Sequence, residues 1–274
     1  MGLPAILIII NLQSMCIKTT DQAGFDVVLE RVPRRIVSIV PSQTELLHSL
    51  GLEDEVVGIT KFCVHPGDWF IAKARVGGTK KVNLERVKSL MPDLILANKE
   101  ENTKEDVEAL RQICPVWTSD VKDINGALEM IGAIGELVDR KGQADTLVQE
   151  IRSGMASLKK TKKRVAYLIW KKPYMAAGGD TFINSMIEAC GWENAFSRRN
   201  RYPEVSVEDI TSAEVQLLLL SSEPYPFKMK DTEELNKILI DTEIRLVDGE
   251  MFSWYGSRME HFPDYVRKML HPAD

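Results

Sequence analysis

The sequence predicts an α/β protein built from two related halves, each a mainly parallel sheet flanked by helices, with a helical segment between them. Three observations carry this. Short apolar strands alternate with helical stretches from Ile36 to Thr118, and again from Arg164 to Leu270. Between these runs the alternation stops and two helical stretches follow one another. A capped helix followed by a strand recurs at constant spacing in both halves. Alternation of this kind places parallel strands side by side with helices on the sheet faces.

The elements follow in order. Ile36 to Val40 is a β-rich apolar run. Pro41 and Ser42-Gln43-Thr44-Glu45, a capping-box spelling, open a helix through Leu46, Leu47 and Leu50. Val56 to Thr60 reads as the next strand, Asn83 caps a helix to Leu90, and Asp93 to Ala97 is a buried strand. Glu105 to Ile113 is helical, and Pro115 to Thr118 is extended. Residues 124–139 and 142–159 then read as consecutive helices. In the second, Ala144, Leu147, Val148, Ile151, Met155 and Leu158 form one apolar stripe at helical spacing. Its length of about 18 residues makes a rod of roughly 27 Å. Beyond it, Arg164–Trp170 and Tyr174–Ala177 read as strands and Phe182–Cys190 as a helix. Val215–Leu220 is a strand, Thr232–Ile240 a helix, Glu243–Val247 a strand and Met259–Leu270 a final helix.

The halves look like one design used twice. Asn83-Leu84-Glu85-Arg86-Val87 matches Ser206-Val207-Glu208-Asp209-Ile210, so Glu208 follows Glu85 by 123 positions. The same spacing sets Leu94 on Leu217 and Leu96 on Leu219 in the strands that follow. The expected division is residues 1–19 as an extension or degenerate signal, 20–122 as the first lobe, 123–160 as a helical linker containing helix 142–159, and 161–274 as the second lobe.

Bulk composition narrows the function classes. The 274 residues are 44% apolar and 27% charged, which is globular composition, and the net charge of −5 argues against a general nucleic-acid partner. Cys16, Cys63, Cys114 and Cys190 show no CxxC pairing, so no zinc knuckle or dense disulfide framework follows. Leu3 to Leu12 is too short to span a bilayer and resembles the apolar part of an export signal, without a preceding basic residue. Leu12-Gln13-Ser14-Met15-Cys16 departs from a lipoprotein cleavage box, and a start at Met15 is the alternative. No GxxxxGK[ST], GxGxxG or GxSxG spelling is present, which leaves a doubly wound enzyme as a weak rival; Gly178-Gly179-Asp180 is the nearest candidate.

These residues resemble the substrate-binding proteins of ABC importers for vitamin B12, iron-siderophores and haem. The resemblance runs from about Thr20 to Leu270. It rests on Asp21-Gln22-Ala23-Gly24, Pro33 to Ser38, Pro41 to Glu45 and Val57-Gly58-Ile59-Thr60. It continues through Gly77-Gly78, Asn83-Leu84-Glu85, Pro92 to Ile95, Gly178-Gly179, Gly191 to Asn194 and Val205 to Glu208. It implies two Rossmann-like lobes with mainly parallel sheets joined by a single long α-helix, and small closure on binding. It also implies a monomer, with no intrinsic cofactor and no nucleic-acid partner, that delivers a metal chelate, cobalamin or another, to an ABC permease. Glu85 and Glu208 stand where the family docks on its permease. A periplasmic or cell-envelope location follows, with a cytoplasmic binding protein of the same fold as the alternative. A free-ion receptor would need several converging His and carboxylates, and only His65 is well placed.

Ligands of open parallel sheets sit beyond the C-terminal strand ends. The candidates there are Ser42 and Gln43, Phe62 and His65, Lys99, Trp170, Glu250, Trp254, Tyr255 and Arg258. Their aromatic faces and polar groups suit a bulky, partly flat ligand. His65, two positions after Cys63, is the candidate metal contact, through a bound chelate. Thr79 and Lys99 stand where the B12-binding branch has tryptophans, Glu250 stands near an acidic ligand contact, and Lys99, Lys171 and Lys172 would favour an anionic chelate.

Overall fold

The computed structural model describes residues 16–270; the apolar run Leu3–Leu12 and the alternative start at Met15 lie outside them. A hairpin opens the chain, β1 (Ile17–Thr20) against β2 (Asp26–Leu29). The Asp21 carboxylate ties its turn to the body, accepting from the backbone N–H of Ala23, Phe25 and Thr118. Ile17, Lys18 and Thr19, expected in the N-terminal extension, are therefore part of the fold.

The first lobe contains β3 (Ile36–Ser38), α1 (Pro41–Ser49), β4 (Val56–Ile59), α2 (Gly67–Ala72) and β5 (Ala74–Arg75). A small hairpin follows, β6 (Gly77–Gly78) and β7 (Lys81–Val82), then α3 (Leu84–Ser89), β8 (Leu94–Asn98), α4 (Lys104–Leu110) and β9 (Val116–Ser119). Its sheet is parallel throughout, in the order β5-β4-β3-β8-β9. The capping-box reading of Ser42 to Glu45 fails. Pro41, not Ser42, occupies the helix start, and no side chain caps it. Proline suits that first turn because it has no N–H to leave unpaired.

Two helices follow, α5 (Ile124–Leu137) and α6 (Lys141–Ala156). Asp123 caps α5 through the Gly126 N–H at 2.8 Å. Gly135 lets the pair approach closely, because a Cβ there would lie 2.3 Å from the Ala144 Cβ. The 16 residues of α6 cover the expected stripe from Ala144 to Met155 but end three residues earlier, leaving Leu158 beyond the helix.

The second lobe contains β10 (Arg164–Trp170), β11 (Tyr174–Ala176), α7 (Phe182–Ala189), β12 (Glu193–Asn194), β13 (Glu204–Val205), α8 (Val207–Ser212) and β14 (Leu217–Ser221). It closes with α9 (Met229–Asn236), β15 (Glu243–Val247), α10 (Gly249–Ser253), a 3₁₀ turn (Ser257–His261) and α11 (Phe262–Leu270). Strands β12, β14 and β15 run parallel with β10, whereas β11 and β13 add an antiparallel edge. Helix α9 begins before the expected Thr232 because Asp231 accepts the Lys228 N–H at 2.8 Å, closing an earlier turn. The last helix begins at Phe262 rather than Met259, with Pro263 in its first turn.

The repeat is structural. Strand β14 lies 123 positions after β8, and α8 lies the same distance after α3. The partner strands keep a different spacing. Ile36 pairs Leu94 while Val165 pairs Leu217, so β10 follows β3 by 129 positions and the halves differ by a six-residue insertion.

Each sheet is buried on both faces, as parallel sheets require. Val37, Ile39, Ile95 and Ala97 face one core, and Ala166, Leu168, Leu218 and Leu220 face another. The alternate positions, Ile36, Leu94 and Leu96 in lobe one and Val165, Tyr167, Leu217 and Leu219 in lobe two, join a third core. Helices α5 and α6 complete it, so the two separate sheets share one continuous apolar layer. Helix α6 packs on α5, on the 3₁₀ turn and on α11. Among the described residues no helix is long and apolar enough to cross a membrane.

Candidate functional site

The C-terminal ends of both sheets border one cleft of about 640 Å³. Pro41 after β3, Phe62 after β4, and Asn98, Glu100 and Glu101 after β8 form one wall. Glu223 and Pro224 after β14, and Glu250, Ser253, Trp254 and Tyr255 after β15, form the other. Phe182 and Ile183 at the start of α7, Tyr202, Val64, Thr79, Lys80 and Val121 complete the lining.

The sharp turn beyond β15 builds the second wall. Asp248 accepts the Glu250 N–H at 3.0 Å and caps α10, which places Glu250, Ser253 and Trp254 on one short helical turn. Trp254 is held from several sides. Its Nε1 donates to Glu223 Oε1 at 3.1 Å, the His65 ring meets it edge-on at 5.7 Å, and the Arg258 guanidinium lies 4.8 Å from its ring. Arg258 also bonds Glu45 of α1 bidentately, at 2.9 and 2.6 Å, and reaches Glu250 at 2.9 Å. His65 Nε2 stands 3.2 Å from Glu250. Glu250 is thus matched by His65 from lobe one and Arg258 from lobe two.

A second clamp joins Glu100 of lobe one to Arg201 of lobe two. It depends on Gly178 and Gly179, whose N–H groups donate to Arg201 O and Arg199 O at 2.8 and 2.9 Å. A Cβ on Gly179 would lie 1.9 Å from Ser197 O, so only glycine lets the segment that presents Arg201 and Tyr202 lie against the strand end.

Of the residues predicted from sequence, Phe62, Glu250, Trp254 and Tyr255 line the cleft. His65 and Arg258 stand behind Trp254 and Glu250 as their partners. Gln43 is internal: its Nε2 donates to Ser119 Oγ at 2.6 Å, tying α1 to β9. Ser42 is buried beside it, behind Pro41. Lys99 is not brought to the cleft, because it turns away to Asp120 at 2.6 Å. Trp170 packs edge-on against Tyr225, also outside the cleft. Lys171 is paired with Asp231 and Glu234, each at 2.6 Å. Two of the three lysines expected to favour an anionic chelate, Lys99 and Lys171, are thus paired away from the cleft. Cys63 and His65 diverge, since the Cys63 thiol is buried and accepts from Thr44 Oγ1 at 3.1 Å. Among the described residues no group of three or more His, Cys, Asp or Glu is placed to hold a metal ion.

Sequence reasoning missed Glu101, Glu223 and Tyr202. Glu101 and Glu223 follow the apolar strands β8 and β14, so the strand-end rule reaches both. Tyr202 lies in an irregular segment and carries no such signal. Burial, reinforced by the charge of Glu223, pushes the Glu101 carboxyl up to about 7. Burial also raises the Glu223 carboxyl, against its hydrogen bonds from Ser253 and Trp254. Burial lifts Tyr202 to about 12 and also raises Tyr255 well above the ordinary tyrosine value.

Glu85 and Glu208 are exposed in the first turns of α3 and α8. Asn83 caps the first through the Arg86 N–H at 2.9 Å, and Ser206 and Asp209 form a reciprocal capping box on the second. Repeat-related helices thus carry one free carboxylate per lobe.

Comparison with known proteins bears on this geometry. The family described as periplasmic binding protein matches residues 36–243. The uncharacterized ABC transporter substrate-binding lipoprotein YvrC of Bacillus subtilis (strain 168) is 29% identical over 204 residues, 69% of this chain and 64% of that protein. The chain thus spans less than two thirds of that relative's length. The vitamin B12-binding protein of Vibrio campbellii (strain ATCC BAA-1116) is 27% identical over 197 residues, 69% of this chain and 70% of that protein. Among solved structures, a possible iron-binding (periplasmic solute-binding) protein from Staphylococcus epidermidis ATCC 12228 superposes with a TM-score of 0.76 and 26% identity, covering 88% of this chain and all of that one. The periplasmic haem-binding protein HutB of Vibrio cholerae shares the fold at a TM-score of 0.74 and 21% identity, covering 87% of this chain and 99% of that one.

Proposed function

Because this chain belongs to the periplasmic binding protein family, we propose that it is the substrate-binding component of an ABC importer, capturing a metal chelate between its lobes. Relatives are named for vitamin B12, iron and haem, and of these cobalamin and haem are bulky ligands with broad ring faces. The observation that carries the reading is the cleft itself. It lies beyond the C-terminal ends of two separate sheets, and each lobe presents an exposed glutamate on a repeat-related helix.

Phe62, Tyr202 and Trp254 offer ring faces for the ligand, and about 640 Å³ falls within the range of small-molecule sites. The bonds from Trp254 to Glu223 and Arg258 hold its indole before a ligand arrives, which lowers the entropy lost on binding. His65 would have to leave Glu250 to reach a metal centre, so it serves first as an orienting partner. Glu85 and Glu208 act as docking posts on a permease. Charge pairing at such posts sets orientation more than affinity. The chain works at the cell envelope, a location that fits a relative named a substrate-binding lipoprotein, and it binds rather than transforms its ligand.

Tryptophan fluorescence titration with cobalamin, haemin and ferric hydroxamates tests this. At least one class is expected to quench Trp254 with a Kd of about 1 μM or tighter. Failure of all three classes to bind would refute the capture reading.

A further inference from the structure

Resting on that reading of the cleft, we propose that it selects chelates whose periphery is cationic or rich in N–H donors, through Glu101 of lobe one and Glu223 of lobe two. Chelates fringed with carboxylates or catecholates are rejected by the same pair.

The argument begins with the charges on the cleft walls. Four glutamates and one lysine line it: Glu100, Glu101, Glu223, Glu250 and Lys80. Two of the four are matched in place, Glu100 by Arg201 and Glu250 by Arg258 and His65. The Lys80 ammonium donates to the carbonyl oxygen of Glu100, so its charge stays in the lining and offsets part of the negative charge at Glu101 without ion-pairing it. Glu101 and Glu223 remain without an ion-pair partner among the described residues. The lysines that strand-end reasoning would bring to the ligand are spent elsewhere, Lys99 on Asp120 and Lys171 on Asp231 and Glu234.

Glu223 is held by its carboxylate, and Glu101 is placed through its backbone. Glu223 Oε1 accepts from Ser253 Oγ at 3.0 Å and from Trp254 Nε1 at 3.1 Å, so the carboxylate is oriented through one oxygen and the other carries no hydrogen bond. The Glu101 N–H donates to Asn98 Oδ1 at 3.0 Å, and Asn98 is itself anchored to Ser119 Oγ at 2.9 Å. Phe62, Phe182, Ile183 and Val121 supply the apolar remainder of the lining. In such surroundings an unmatched carboxylate interacts more strongly than it would at an open surface. A ligand that carries the missing positive charge, or donates N–H groups, completes both walls at once. A ligand bearing further anions meets two unmatched carboxylates.

Two ligand series, each constant in shape and varied in charge, test this on the full chain. One is cyanocobalamin carrying an aminoethyl group on a peripheral amide, cyanocobalamin itself, and cyanocobalamin with one peripheral amide hydrolysed to a carboxylate. The other is ferrioxamine B with a free amine, its N-acetyl derivative and its N-succinyl derivative. Within whichever series binds, affinity is expected to fall about tenfold at each step from cation to neutral to anion, the scale of a partly screened contact. In the E101Q/E223Q variant the steps should shrink to about twofold. Wild-type protein that binds the anionic member as tightly as the cationic one would overturn the proposal, whatever the variant does. So would a charge dependence that persists unchanged in the double variant. If neither series binds but haemin, which carries two propionates, does, the capture reading stands and this inference falls; if haemin fails as well, both fall.

Discussion

Replacing Glu101 with glutamine should make the protein more stable above neutral pH. The Glu101 carboxyl has an ordinary value of 4.5, and burial with the charge of Glu223 pushes it to about 7 in the folded chain. Between these values the folded state holds a proton that the unfolded chain has released. Stability therefore falls as pH rises from 4.5 towards 7, and levels off above it. The gap, at about 1.36 kcal/mol per pH unit, comes to roughly 3 kcal/mol. Because the side chain keeps some solvent access, this is an upper value. Glutamine keeps the shape without the charge, so E101Q should match wild type near pH 4.5 and exceed it by about 2–3 kcal/mol at pH 8. Urea unfolding of both proteins at the two pH values, with m-values compared, reads this directly. Equal stability at pH 8, or the same loss between the two pH values in both proteins, would refute the assignment of a buried, unmatched charge at Glu101.

Other perturbations test the clamps and caps. Arg258→Met strands Glu45 and Glu250 and should cost about 3 kcal/mol in denaturant unfolding, with partial recovery in E45Q/R258M; a loss below about 1 kcal/mol would show that the clamp is superficial. Gly179→Ala drives a Cβ into Ser197 O and should cost about 3 kcal/mol or more, visible as a fall in the thermal midpoint. Ser206→Ala removes one arm of a capping box and should cost about 1 kcal/mol, again by unfolding. Charge reversal at Glu85 and Glu208 should abolish ligand uptake in cells while leaving ligand affinity in solution unchanged; lost affinity would place these residues elsewhere than at a docking face.

The architecture was legible because strand and helix periodicities are local. The 123-position repeat, read from helix caps and leucines, reappears as matched α3-β8 and α8-β14 units. The six-residue insertion between the halves was hidden, since β3 is three residues long and too short to align by pattern. The capping box at Ser42 misled because its spelling fits, while Pro41 already takes the first turn. At the site, the strand-end rule found Phe62, Glu250, Trp254 and Tyr255. It failed for Lys99 and Trp170, which leave the same strand ends in other directions.

Strand order, helix caps and the two-lobed plan follow from spacings within a few residues of one another, and a single sequence contains them. Which strand-end side chains face the ligand does not follow, because a side chain at a strand end takes its direction from whatever packs against it. Glu100, Glu101, Glu223 and Glu250 read alike as letters. Only the folded chain, by carrying Arg201 to one and Arg258 with His65 to another, decided that two are matched and two are left for the ligand. Those partners come from distant parts of the chain, and Coulomb pairing depends on distance in space rather than along the sequence.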